Sequence, residues 1–138
     1  MSNKGYTLIE LIIVISIIGI MATIALVGIN KGYKLDGATR MIFSDLMCAR
    51  IKAIRERNDF QATFNANGHT YTIQNIDTGV TWVTRDIHDT FQGVTFSSHT
   101  LTFDSVGTTD SNLTEITLSK GSREKKIEIS WTGRIKIL

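Results

Sequence analysis

The sequence predicts an α+β protein: one long N-terminal helix, membrane-spanning at first and amphipathic later, packed on an antiparallel β-sheet or a small β-sandwich. Three observations carry this. Residues 11–29 contain no charged side chain, a run of about 19 residues, the length at which a helix crosses a bilayer core. Apolar residues then recur at spacings of three and four to about residue 57. From Phe60 onward the period falls to two, with turn residues between short runs.

Only residues 1–5 precede the apolar region, and Lys4 is their one charged side chain. An ordinary secretory signal differs: its apolar region is shorter, roughly 7–15 residues, and a small-residue cleavage site follows it. Lys31, Lys34 and Arg40 lie beyond the span, so charge counting alone leaves orientation open. Glu10 is a lone carboxylate at the edge of the span. Inside a membrane such a group is costly and therefore functional by default. At the interface it stays hydrated and favours the helix N-terminus. The residues alone leave both readings standing.

In the amphipathic half, Leu35, Ala38, Ile42, Leu46, Ala49 and Ala53 fall on one helical face. Met41, Met47, Ile51 and Ile54 are expected to widen that stripe, and Cys48 to be a small core residue. Cys48 is the only cysteine, so no internal disulfide forms. Gly28 and Gly32 mark a softer junction, Asn58 is a plausible stop, and the absence of proline favours continuous elements.

Beyond the helix, Phe60, Ala62 and Phe64 alternate, as do Tyr71 and Ile73, with Asn67-Gly68 between them as a hairpin signal. Asp77-Thr78-Gly79 marks a further turn. Val94 and Phe96, Leu101 and Phe103, Ile116 and Leu118, Ile127 and Ile129, and Ile135 and Ile137 continue the alternation. A loop over 107–112 and turns at Lys120-Gly121-Ser122 and Thr132-Gly133 separate them. Six or seven strands are expected, in one folded domain.

Charge is segregated. Residues 1–57 carry 8 basic and 4 acidic side chains, residues 58–119 carry 1 basic and 7 acidic, and residues 120–138 carry 6 basic and 2 acidic. A solvated surface explains each block; the acidic middle also suits a basic partner. Nothing points to catalysis or to a cofactor. His69, His88 and His99 match no metal-ligand spacing, and no nucleophile elbow, phosphate loop or dinucleotide fingerprint is present.

The N-terminal run Lys4-Gly5-Tyr6-Thr7-Leu8-Ile9-Glu10-Leu11 resembles the type III signal of type IV prepilins and pseudopilins. The resemblance implies a leader of residues 1–5, cleaved after Gly5 on the cytoplasmic side by prepilin peptidase, and N-methylation of Tyr6, where the family usually has Phe. It implies a transmembrane and filament-core helix over 6–29 in the inner membrane. Residues 30–138 would form a periplasmic or extracellular domain. It also implies that Glu10 pairs with the Tyr6 amine of a neighbouring subunit, which would set the axial stagger. Val27 stands where the family often has a helix-bending proline.

The remainder is similar to the GspH/FimT branch of minor pseudopilins and minor pilins. The resemblance lies in the helix Leu46-Met47-Cys48-Ala49-Arg50-Ile51-Lys52-Ala53-Ile54, in Leu101-Thr102-Phe103-Asp104 followed by Gly107, and in Ile127 to Ile135 around a Gly-Arg turn. It implies a subunit of a type II secretion pseudopilus or type IV pilus, assembled with other pilins near the filament tip. A major subunit is the competing reading; the absence of an internal disulfide and of a calcium-loop pattern favours a minor one. A third reading is DNA uptake. Gly133-Arg134-Ile135-Lys136 resembles an element implicated in DNA contact among FimT-like pilins. On a strand, Arg134 and Lys136 share a face, and Lys120, Arg123, Lys125 and Lys126 would extend the patch, diluted by Glu124 and Glu128.

Overall fold

The computed structural model describes residues 7–110 and 112–138, without the side chains of 24–32. The leader, the 5/6 cleavage position and Tyr6 lie outside the described residues, as do the side chains of the later part of the expected span. The chain divides into two compact units, Met1–Tyr33 and Lys34–Leu138. One helix, α1, runs Leu8–Glu56. It starts on Thr7, whose hydroxyl and carbonyl both accept from the Glu10 N–H, at 3.3 and 3.1 Å. Thr7-Leu8-Ile9-Glu10 thus has the spacing of a capping box.

From Leu8 to Thr23 every side chain of α1 is exposed, from 49% at Val14 to 77% at Leu8 among the large apolar ones. The hydroxyls of Ser16 and Thr23 donate back to the carbonyls of Ile12 and Gly19, at 2.8 and 2.9 Å. Among the described residues no helix is long and apolar enough to cross a membrane.

In the second unit, α1 is followed by β1 (Phe60–Asn65), β2 (Thr70–Asn75), β3 (Thr81–Asp86), α2 (Ile87–Thr90), β4 (Thr95–Phe96), β5 (His99–Phe103), β6 (Leu113–Lys120), β7 (Arg123–Ser130) and β8 (Ile135–Ile137). They form two four-stranded sheets, β3-β2-β1-β5 and β4-β6-β7-β8, antiparallel throughout. One core joins them to the helix. Leu35, Ala38, Ile42, Leu46, Ala49 and Ala53 meet Phe60, Phe64, Tyr71, Ile73, Leu101 and Phe103 of the first sheet, and Phe96, Ile116, Leu118, Ile127 and Ile129 of the second. Period-two alternation supplies these inward rows, and Ala38, Ala49 and Ala53, half of the helix row spaced at three and four, let the backbone approach closely.

Three expectations are corrected. Cys48 is exposed rather than in the core. Ile51 and Ile54 are 56% and 46% exposed rather than part of the buried stripe; they lie more than a quarter-turn from the alanine row, since each residue advances about 100°. Among the described residues there are eight strands rather than six or seven, because β3, exposed on both faces except at Val83, carries no apolar alternation to read. The Asn67-Gly68 hairpin forms as expected, joining β1 to β2 through a four-residue loop. Asn65 pairs with Thr70, the His69 N–H donates to the Ala66 carbonyl at 3.3 Å, and the left-handed residue is His69, at φ 51°. A four-residue loop built around an ordinary turn is a common alternative. α1 stops one turn-residue before Asn58, with Arg57 at φ 55° in the position where a helix end favours glycine or asparagine.

Candidate functional site

Three constellations stand out. The first is the start of α1. Glu10 sits in its first turn, where its charge favours the helix dipole. Among the described residues it makes no ion pair, and its immediate helical neighbours are exposed aliphatic side chains. A carboxylate so placed is satisfied only by water or by a cation from another molecule.

The second constellation ties α1 to the sheets. Asp45, buried on the helix, accepts from the Tyr71 hydroxyl of β2 at 2.6 Å and from Arg85 Nε of β3 at 3.3 Å. Burial, reinforced by the Asp45 carboxylate, pushes the Tyr71 phenol far up, so it stays a donor. The hydrogen bond to Asp45 likewise raises the Arg85 guanidinium. Five residues further along the helix, Arg50 donates from Nε to the Gly107 carbonyl at 2.9 Å and from Nη2 to the Thr132 carbonyl at 3.1 Å. Gly107 and Gly133 both have positive φ, 86° and 73°. A side chain at Gly133 would collide with the Gly107 carbonyl and with Arg50. Three segments separate in sequence therefore meet at one guanidinium. The reading of the sequence missed Arg50 and Asp45. A charged residue beside the alanine row of an amphipathic helix was the available signal.

The third is the outer face of β7 and β8. Arg134 and Lys136 are exposed and line a cleft of about 250 Å³ with Glu128, Ser130 and Thr132, as strand alternation requires. Lys136 stands directly opposite Glu128. Lys126 shares the face but is paired with Glu115 at 2.9 Å, which raises the lysine. Lys125 faces the other way and holds Asp36 of α1 at 2.6 Å. That hydrogen bond lowers the Asp36 carboxyl. Lys120 donates to the Gln92 carbonyl at 2.5 Å. The cationic tail is thus divided among several partners and two faces.

The histidines do not converge on a metal site. His69 and His88 have ring centroids 5.5 Å apart, while His99 lies on β5. Among the described residues no group of three or more His, Cys, Asp or Glu side chains is placed to hold a metal ion.

Comparison with known proteins fits this architecture. The model of the prokaryotic N-terminal methylation motif matches residues 1–26. The solved structure of the type IV minor pilin FimU of Pseudomonas aeruginosa superposes with a TM-score of 0.67 at 18% identity, over 80% of this chain and 92% of that one. The minor pseudopilin EpsH from the Type 2 Secretion System of Vibrio cholerae gives a TM-score of 0.61 at 15% identity, over 76% of this chain and 96% of that one. At such identities these two establish the shared fold. Among curated proteins none matches the sequence. The model of type II transport protein GspH matches residues 38–133, most of the chain and all three segments gathered by Arg50. The chain belongs to the GspH family, a branch of the pilin and pseudopilin fold.

Proposed function

We propose that this chain is a minor filament subunit of a type II secretion pseudopilus or a type IV pilus, working near the tip and catalysing nothing itself. Prepilin peptidase removes residues 1–5, Tyr6 is N-methylated, and the subunit waits in the inner membrane with its domain on the periplasmic side. It then enters the filament among other pilins. The observation that carries the reading is Glu10, a single carboxylate in the first turn of a helix whose other described side chains to Thr23 are apolar or hydroxyl and all exposed. Such a surface is satisfied only by lipid or by other helices. The one charge on it needs a cation, and the α-amine of a neighbouring Tyr6 is that cation.

The test is Glu10→Ala. Processing, read as the mobility shift on leader removal, is expected to be unchanged. Recovery of the subunit in sheared filaments is expected to fall at least tenfold, which corresponds to roughly 1.4 kcal/mol of lost assembly energy. Normal recovery of the processed variant would remove this role for Glu10.

DNA contact through Arg134 and Lys136 is the second reading, favoured by their shared exposed face. Lys125 and Lys126 hold Asp36 and Glu115, so this reading rests on two phosphate contacts, Arg134 and Lys136. Any DNA affinity of residues 34–138 is then expected to fall with salt at a log–log slope no steeper than about −2. The slope should vanish in the Arg134→Ala, Lys136→Ala double variant. A steeper slope, or one that survives the double variant, would mean that another surface binds.

A further inference from the structure

The two sheets have four edges, and three are managed. β4 has two residues and β8 three. β5 is covered by the loop after it: Phe103 bridges to Thr109, the Thr102 N–H donates to the Asp110 carboxylate at 3.4 Å, and the Asp104 N–H donates to the Thr108 carbonyl at 3.0 Å. β3 is different. It is six residues long, ends its sheet, and is exposed on both faces except at Val83. Natural edge strands are blunted by shortness, cover, proline or outward charge. β3 has no proline and no lysine, and its one cation, Arg85, is spent on Asp45. A register shift against β2 lies at the Thr81 end, leaving Val83 to Asp86 in regular pairing.

The outward face beside this edge carries no cation to repel a basic neighbour; its one charge on β3 is the exposed Asp86. Thr84, Thr72, Thr63 and Thr100 form one row across all four strands. We propose that β3 accepts an extended, basic segment of a different filament subunit, not a second copy of this chain, as a fifth strand. This rests on the filament-subunit reading above. An edge offers a row of backbone donors and acceptors, which only an extended chain matches. The charge is set by the surroundings. Residues 58–119 hold seven acidic side chains and one basic. Exposed carboxylates stand beyond both ends of β3: Asp77 before Thr81, and Asp89 after Asp86. Beside the edge, a cleft of about 360 Å³ lined by Phe60, Val80 and Trp82 together with Lys52, Glu56 and other polar side chains has room for one side chain of the incoming segment.

The experiment uses the full chain in cells that assemble the filament, with Thr84→benzoylphenylalanine as the photo-crosslinking probe and Thr100→benzoylphenylalanine on β5 as its control. Irradiation is expected to join position 84, and not position 100, to an extended segment of another filament subunit, located by mass spectrometry. Adding Asp89→Lys should lower that yield at least threefold. No adduct from position 84, an adduct with a second copy of this chain, equal adducts from both positions, or a yield indifferent to Asp89→Lys would each overturn the proposal. Recovery of the probe-bearing chain in sheared filaments separates the two failures. Present there without the adduct, it refutes the edge contact alone; absent there, it refutes the subunit reading as well.

Discussion

The Asp104 carboxylate supplies three of the bonds that close the loop after β5. Its Oδ1 accepts from the N–H groups of Val106 and Thr108 at 2.9 and 2.8 Å, and its Oδ2 accepts from the Thr108 hydroxyl. The hydroxyl bond, ahead of the backbone bonds and against the cost of burial, lowers the carboxyl below its usual range. A carboxyl depressed in the folded state stabilises above its unfolded value, near ~3.9, and loses that contribution as pH falls through the folded value. Asp104→Asn is therefore expected to cost on the order of 1 kcal/mol at pH 7. The difference from the parent should shrink as urea titrations move from pH 5 to pH 2. A difference that stays constant over that window would show that the charge is not what the loop uses. The same loop positions Gly107 for Arg50, so a single side chain conditions a contact with a distant helix.

At the scale of elements, the inward rows of β1, β2, β5, β6 and β7 were legible because burial on one face imposes period two on the residues themselves. β3 was not, since a strand with both faces in water is under no such constraint. Four-residue α2 is too short for any helical period; its start is fixed by Asp86, which accepts from the His88 N–H at 2.8 Å. In the candidate site, the common face of Arg134 and Lys136 followed from alternation. Alternation also separates Lys125 from Lys126, although the sequence reading pooled them. Their partners, Asp36 and Glu115, are non-local and left no trace in spacing. Nor did the meeting of Arg50 with Gly107 and Gly133. The Gly-Arg turn consequently has a structural reading that its sequence did not disclose. Gly133→Ala combines a left-handed φ with a backbone collision, and is expected to cost about 3 kcal/mol or more. Arg134→Ala, one residue along and exposed, should be within about 0.5 kcal/mol of the parent. Thermal unfolding of the pair checks this; similar losses in both would mean that the turn's glycine is not what the fold requires.

For the whole molecule, the energies of folding and of assembly sit in different parts of the chain. Among the described residues every buried core residue lies between Leu35 and Ile135, and both sheets and the tethers from α1 at Asp45, Arg50 and the Asp36–Lys125 pair fall within the same unit. From Leu8 to Thr23 no side chain is buried, so those residues add little to the stability of the domain, however much they add to assembly. Residues 34–138 alone are expected to unfold in one cooperative transition. The midpoint should fall in the ordinary range of about 45–65 °C, and it should be the same, within error, as that of the full chain in detergent. Glu10→Ala in the full chain should leave the midpoint unmoved while abolishing assembly. Gly133→Ala should do the reverse to the midpoint and impair assembly only through loss of folded subunit. If deleting residues 1–33 removed the cooperative transition, or if Glu10→Ala lowered the midpoint, the anchor would be part of the folding unit. The Glu10 phenotype could then no longer be assigned to contacts between subunits.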